Sequence, residues 1–212
     1  MRHTDLFFQP FHRTVIFFRC ILACLLLGGI QACAHAPRIV ILKDSLSSGE
    51  HLQLGLSYEA QDKWDLALDE YRSALKSGGE PSLIEGYIGN IHVAREELSL
   101  AKAAYRRALR VNPDHAAVLN NLAGLYLIEN KNLKEAERLV RRAIAIDPTR
   151  RVYYLDTLGS IYEARNEYDI ALILYQEAEG LIPEDSPIKH RLNEHKTRAR
   201  ILMLMEDADS TN

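Results

Sequence analysis

Residues 101–113 read AKAAYRRALRVNP, and versions of this phrase stand at three other places: ALDEYRSALKSGG at 67–79, AERLVRRAIAIDP at 136–148 and ALILYQEAEGLIP at 171–183. An alanine opens each phrase (Ala67, Ala101, Ala136, Ala171) at intervals of 34, 35 and 35 residues. A second alanine column (Ala74, Ala108, Ala143, Ala178) gives the same three intervals. Between the columns stand Tyr71, Tyr105, Val140 and Tyr175, and five residues after the second come Gly79, Pro113, Pro148 and Pro183. Two columns in step are the mark of one supersecondary unit copied along the chain.

Upstream of each first alanine lies an apolar–small–x–x–aromatic phrase: Leu54-Gly55 with Tyr58, Leu122-Ala123 with Tyr126, and Leu158-Gly159 with Tyr162. The second copy has Ile88-Gly89 with His92. Gly55, Gly89, Ala123 and Gly159 carry little or no side chain, so a second helix can approach closely and offer its alanines as the matching shallow surface. Tyr58, Trp64 and Tyr71, with their equivalents, then fill the wedges. The prolines stop the second helix and turn the chain to the next pair.

These phrases closely resemble the tetratricopeptide repeat, a helix–turn–helix unit of about 34 residues. The copies fall at 48–81, 82–115, 116–151 and 152–185. The resemblance implies an all-α fold, a right-handed α-solenoid of four helix pairs with a C-terminal capping helix over 186–205. The acidic tail, 206–212, is expected to be disordered. Copy three holds one residue more than the others near Lys131-Asn132, which an exposed turn tolerates. Ser47 and Glu50 have the spacing of a capping box. Beyond Pro187, Ile188, Leu192, His195, Ala199 and Leu202 recur at 4, 3, 4 and 3, one apolar stripe of the capping helix. Its other face (Lys189, Arg191, Lys196, Arg198, Arg200) reads as a solvated one.

Composition bounds the rest. With 212 residues, 47% of them hydrophobic and 26% charged, the chain reads as a folded domain rather than a disordered one. A net charge of −3 supplies no field for nucleic acid. Cys20, Cys24 and Cys33 are the three cysteines, so the repeats hold neither a disulfide framework nor a cysteine zinc site. Ser73-Ala74-Leu75-Lys76 fits a Ser-x-x-Lys nucleophile pattern but lacks its companion motifs. His190 and His195 diverge by about 140° round a helix, too far for one metal. The chain therefore reads as a non-enzyme without cofactor or metal site.

Arg2, Arg13 and Arg19 precede an apolar run from Cys20 to Ile30, long enough for a secretory signal and short of the roughly 20 residues of a spanning helix. The run ends in Ile30-Gln31-Ala32-Cys33, which resembles the lipobox of bacterial lipoproteins, with Gln31 where a small residue is usual. That resemblance implies removal of 1–32 as a signal peptide, lipidation of Cys33, and a linker over 33–47. Ala34 behind the cysteine then favours the outer membrane. An unprocessed inner-membrane anchor and a plain secretory signal with an incidental cysteine are the alternatives. Ile39-Val40-Ile41-Leu42 is expected to cover the open end of the first pair, or to add a strand to a partner's sheet.

In the family it resembles, the first helix of each pair lines a concave groove for an extended or helical peptide. Carried onto this sequence, the groove takes Gln53 and Leu56 from the first copy, and Tyr87 and Asn90, with Val93, from the second. Asn120, Asn121, Gly124 and Leu127 come from the third, and Tyr153, Asp156, Thr157 and Ser160 from the fourth. Asn90 and Asn121 match the two asparagines with which some members hold a C-terminal carboxylate. The basic partners would fall on Gly86, Tyr153 and Thr157, so no charge clamp forms. On the convex side, Arg72, Lys76, Arg106, Arg107, Arg110, Arg138, Arg141 and Arg142 read as a solvated face balanced by Asp69, Glu70, Glu135 and Glu137. The function implied is a lipid-anchored, periplasm-facing adaptor for one or more envelope proteins, similar to pilotin-type and envelope-scaffold lipoproteins. It would act in assembling an outer-membrane or pilus/secretion complex. Scaffolding of cell-wall hydrolases or envelope peptidases, and direct peptidoglycan binding, stand beside it as alternatives.

Overall fold

The chain enters its first helix through the capping box that its sequence encodes. The Glu50 amide donates to Ser47 Oγ at 3.3 Å, and the Ser47 amide donates to Glu50 Oε2 at 2.7 Å. This satisfies two of the amides that a helix start leaves without intrahelical partners. The bond from the Ser47 amide, with a second from the Ser47 hydroxyl at 2.7 Å, holds the Glu50 carboxyl below its ordinary value. The computed structural model describes residues 44–183 and 185–210, so Cys33, the signal region and the 39–42 run fall outside the described residues.

All described elements are helical, in four hairpins and a terminal helix. They are α1 (Ser48–Glu59) with α2 (Trp64–Lys76), α3 (Pro81–Ala94) with α4 (Leu98–Val111), α5 (Ala116–Ile128) with α6 (Leu133–Ile146), α7 (Arg151–Glu163) with α8 (Tyr168–Gly180), and α9 (Ile188–Ser210). Within each hairpin the turn is built alike. Asp62, Glu96, Asn130 and Asn166 adopt left-handed backbone (φ 57°, 60°, 48° and 63°). The amides of Lys63, Glu97, Lys131 and Glu167 close the turn onto the carbonyls of Tyr58, His92, Tyr126 and Tyr162 at 2.8–3.0 Å. The extra residue of the third turn is absorbed by a second left-handed residue, Asn132 (φ 55°), which serves as N-cap of α6. Asparagine enters that region at lower cost than most side chains.

Close packing within each hairpin rests on the small position. A Cβ on Gly55, Gly89 or Gly159 would come within 3.0 Å of the rings of Tyr71, Tyr105 and Tyr175 respectively. Each ring therefore packs against bare helix backbone, and all three tyrosines are at most 2% exposed. The third hairpin fills the equivalent positions with Ala123 and Val140, both fully buried. Larger small residue and smaller wedge go together. All eight alanines of the two columns are 0% exposed.

Between hairpins, α3 packs directly on α5 and α5 on α7, so the first helices form an inner row. The outer edge is tied by ion pairs from each second helix to the turn of the next hairpin: Asp65 with Arg95 at 2.7 Å, Lys102 with Glu129 at 2.6 Å, and Glu137 with Arg165 at 2.6 Å. The core divides into a cluster from Ala67 to Ala104 and a longer one from Ala101 to Ala199. One apolar position of the repeat phrase does not join either cluster. Leu54 is 37% exposed, whereas Ile88, Leu122 and Leu158 are buried, because no described helix precedes α1.

The terminal helix departs from expectation twice. It runs to Ser210, so residues 206–210, read from sequence as the start of a disordered tail, continue the helix. Its basic face is not simply solvated: Arg191 reaches Asp156 at 2.9 Å, Arg198 pairs with Glu163, and Lys196 pairs with Glu179. The apolar stripe does seat the helix, with Leu192 and Ala199 fully buried.

Candidate functional site

The inner row opens into a cleft of about 510 Å³ between α3, α5 and α7. Its polar floor comes from Asn90, Asn120, Asn121, Asp156, Thr157 and Ser160, and its apolar wall from Val93, Leu127 and Ile128, with Gly124 in the middle. A Cβ on Gly124 would meet nothing within 4 Å, so this glycine faces open space.

Hydrogen bonds set the polarity of the floor. Asn90 Oδ1 accepts from Tyr105 Oη and from Asn121 Nδ2, both at 2.8 Å. The carbonyl of Asn90 is thus engaged, while its own amide group and the Asn121 carbonyl keep capacity for a ligand. Asn120 Oδ1 is buried and has no hydrogen-bond partner among the described residues. An acceptor desolvated without a donor costs about 1–3 kcal/mol, which a bound N–H would recover. Burial pushes the Tyr105 hydroxyl well above its ordinary value, so it remains a donor.

Eight of the twelve groove residues expected from sequence meet in this cleft: Asn90, Asn120, Asn121, Gly124, Leu127, Asp156, Thr157 and Ser160. Gln53, Leu56, Tyr87 and Tyr153 do not line it. Tyr87 stacks on Tyr71 with ring centroids 5.5 Å apart, which fills the inner face between the first two hairpins. Tyr153 is 55% exposed beyond the rim. Asp156 is present but committed. Its carboxylate receives Arg191 at 2.9 Å and lies 2.8 Å from His195 Nδ1, leaving the residue 6% exposed. Thr157 and Ser160 donate their hydroxyls to carbonyls one turn back, at 3.1 and 3.0 Å. Tyr105, Leu125 and Ile128 line the cleft without having been expected there. Tyr105 was legible only as core, because the repeat pattern assigns its ring and not its hydroxyl.

Outside the cleft, most of the convex arginines are paired, Arg72 with Asp69 at 2.9 Å among them. Arg107 grips Glu85 through two 2.7 Å bonds, Arg138 holds Glu135, Arg141 holds Glu137, and Arg142 reaches Asp114 at 2.6 Å. Two of these acids, Glu85 and Asp114, were not expected, and Glu70 instead faces His51 Nδ1 at 2.7 Å. His92, in the aromatic column, sits 2.6 Å from Glu97 beside its turn. No helix of the described residues is long and apolar enough to cross a membrane.

The tetratricopeptide repeat family model matches residues 88–151, which span α4, α5 and α6 with parts of α3 and α7. The fold is that of a tetratricopeptide-repeat solenoid. A solved tetratricopeptide repeat protein from Parabacteroides merdae superimposes with a TM-score of 0.63 at 21% identity, covering 76% of this chain and 60% of that one. Among curated proteins, anaphase-promoting complex subunit 3 of Schizosaccharomyces pombe is 31% identical over 121 residues, 57% of this chain and 17% of that protein. The photosystem I assembly protein Ycf3 of Rippkaea orientalis is 32% identical over 87 residues, 40% of this chain and 50% of that protein. This chain spans between 17% and 50% of the length of the curated relatives it matches. These two relatives are named as a complex subunit and an assembly protein.

Proposed function

We propose that this chain is an adaptor that holds a segment of a partner protein in the α3–α5–α7 cleft, working from a lipid anchor at Cys33 on the periplasmic face of the outer membrane. The observation that carries the binding site is the orphaned Asn120 carbonyl beside the open Gly124. A buried acceptor, two part-used asparagine amides and an apolar wall suit an extended backbone whose side chains contact Val93, Leu127 and Ile128. The anchor is supported by the basic start, the apolar run and the Ile30-Gln31-Ala32-Cys33 ending. On this reading the partners are envelope proteins, in assembly of an outer-membrane, pilus or secretion complex. Arg72, Arg107, Arg138, Arg141 and Arg142, which already hold carboxylates, favour it over direct binding of an anionic cell-wall polymer.

Gly124→Arg tests the cleft. The new side chain fills space where no atom stands, so helicity should be unchanged while capture of the crosslinked native partner falls at least about tenfold. Undiminished capture overturns the cleft assignment. Asn90→Ala is a poorer probe, because it strands the Tyr105 hydroxyl. Labelling with palmitate tests the anchor: wild type should incorporate label and Cys33→Ala should not, and an unlabelled wild type rejects it.

A further inference from the structure

One column of the inner face reads Glu59, Val93, Leu127 and Glu163, each one residue beyond the aromatic position of its own copy. Val93 and Leu127 belong to the apolar wall of the cleft, so the column sets an acid on either side of that wall. The two acids are held alike. Each accepts from the wedge tyrosine of its own hairpin, Glu59 from Tyr71 and Glu163 from Tyr175 at 3.2 Å. They are neutralised differently. Glu163 also receives Arg198, which lies 35 residues on, at the next step of the column, and donates from Nη2 to Oε2 at 3.1 Å. The next step after Glu59 is Val93, which has no charge to give.

Among the described residues no Lys, Arg or His pairs with Glu59. Lys63, the nearest cation in sequence, donates to Gln61 at 2.9 Å instead. Glu59 nonetheless belongs to the surface that forms the site. It is partly buried. After burial, its charge is what raises the Tyr105 hydroxyl, the group that lines the cleft and donates to Asn90 at 2.8 Å. A carboxylate held in place, partly desolvated and left without a counter-ion gains most from a charged donor. What Arg198 does for Glu163 from within the chain, Glu59 can receive only from outside it.

We propose that the partner segment held in the cleft is basic at its α1 end, presenting a lysine or arginine side chain to Glu59 and apolar side chains to Val93 and Leu127. This rests on the cleft as the binding site and adds the chemistry of what enters it. Neighbouring helices of a stack lie about 8–10 Å apart, and three residues of extended chain span about that distance. In one chain direction or the other, the segment therefore carries a cation and then two apolar residues at steps of about three. An acidic residue at the first place would set like charge on Glu59.

The test selects binders for the full chain from a library of end-capped synthetic nonapeptides with Lys, Glu, Gln, Leu or Ser at each position. Retained peptides should be enriched in Lys about three residues from the nearer of two leucines. The best lysine peptide should bind Glu59→Gln about tenfold more weakly than wild type. Its analogue with Gln in place of that Lys should bind both proteins alike. Gln keeps an oxygen that accepts from Tyr71, so helicity and urea unfolding should not change. Asp169→Asn, the same change of charge at an exposed site on α8, should leave both affinities as they are. If no peptide is retained, or Gly124→Arg leaves binding intact, the cleft reading falls and this proposal with it. If Gly124→Arg abolishes binding but retained peptides show no excess of Lys, or the excess survives Glu59→Gln, the cleft stands and the basic segment is overturned. An equal loss with Asp169→Asn overturns it too, since net charge alone would then explain the preference.

Discussion

The third hairpin solves the same packing problem as the other three with different parts. In the first, second and fourth, a bare glycine accepts a tyrosine ring, and the hydroxyl emerges on the inner face. Tyr71 donates to Glu59, Tyr105 to Asn90 at 2.8 Å, and Tyr175 to Glu163 at 3.2 Å. In the third, Ala123 and Val140 fill the space and no hydroxyl emerges. The inner face of α5 is therefore not tied to its own partner helix. Asn121 reaches back to Asn90 instead, Asn120 keeps an unanswered carbonyl, and the cleft opens there. Core composition and site location are in this sense one fact.

Emptying the wedge should break that contrast most severely. Tyr105→Ala should cost about 3–5 kcal/mol and Val140→Ala about 2, measured by urea unfolding of each variant. Equal losses would show that the ring position carries no special weight. Next comes the glycine side. Gly89→Ala forces a methyl into the Tyr105 ring and should cost about 1–3 kcal/mol. Adding Tyr105→Val converts the second hairpin to the composition of the third, and a double-mutant cycle should then show favourable coupling above about 0.5 kcal/mol. Strict additivity would sink the idea that small residue and wedge act as a pair.

The smallest effect is in the pH dependence. Burial pushes the hydroxyls of Tyr71, Tyr105 and Tyr175 above the ordinary 10.0, and that of Tyr154, beside Asp147, up to about 12. Folded values above unfolded ones mean stability that is complete below pH 10 and lost as pH rises beyond it. Tyr105→Phe should flatten that alkaline limb while costing about 1 kcal/mol at neutral pH. Val140→Phe, lacking a hydroxyl, should leave the limb unchanged. On the acid side, burial pushes Glu137 up, but hydrogen bonds from Tyr162, Arg141 and Arg165 outweigh it and hold the carboxyl below 4.5. Its contribution is present above pH 4.5 and is lost as pH falls below, so Glu137→Gln should flatten the acid limb of thermal unfolding.

Much of this was readable in advance, for stated reasons. The alanine columns and small positions recur because each hairpin must solve one packing problem, and recurrence survives in sequence. The extra residue near Lys131 was visible as a count, although a count does not reveal a second left-handed asparagine. Asp156 was readable as an inner-face position. Its partners, Arg191 and His195, come from a helix outside the repeat register, so no internal comparison could find them. The end of α9 was misread because Glu206, Asp207 and Asp209 look like a solvated tail, while Ile201, Leu204, Met205 and Ala208 share a face only once a helix is drawn through them.

The sequence by itself determined an all-helical solenoid, since a period of 34 or 35 residues with paired small positions admits close-packed hairpins and little else. Tertiary structure decided where the inner face is open. That depends on which hydroxyls and amides find one another across hairpins and which acids the last helix claims. Hydrogen bonds between residues 15 to 39 apart follow from three-dimensional register, and a one-dimensional pattern does not encode them.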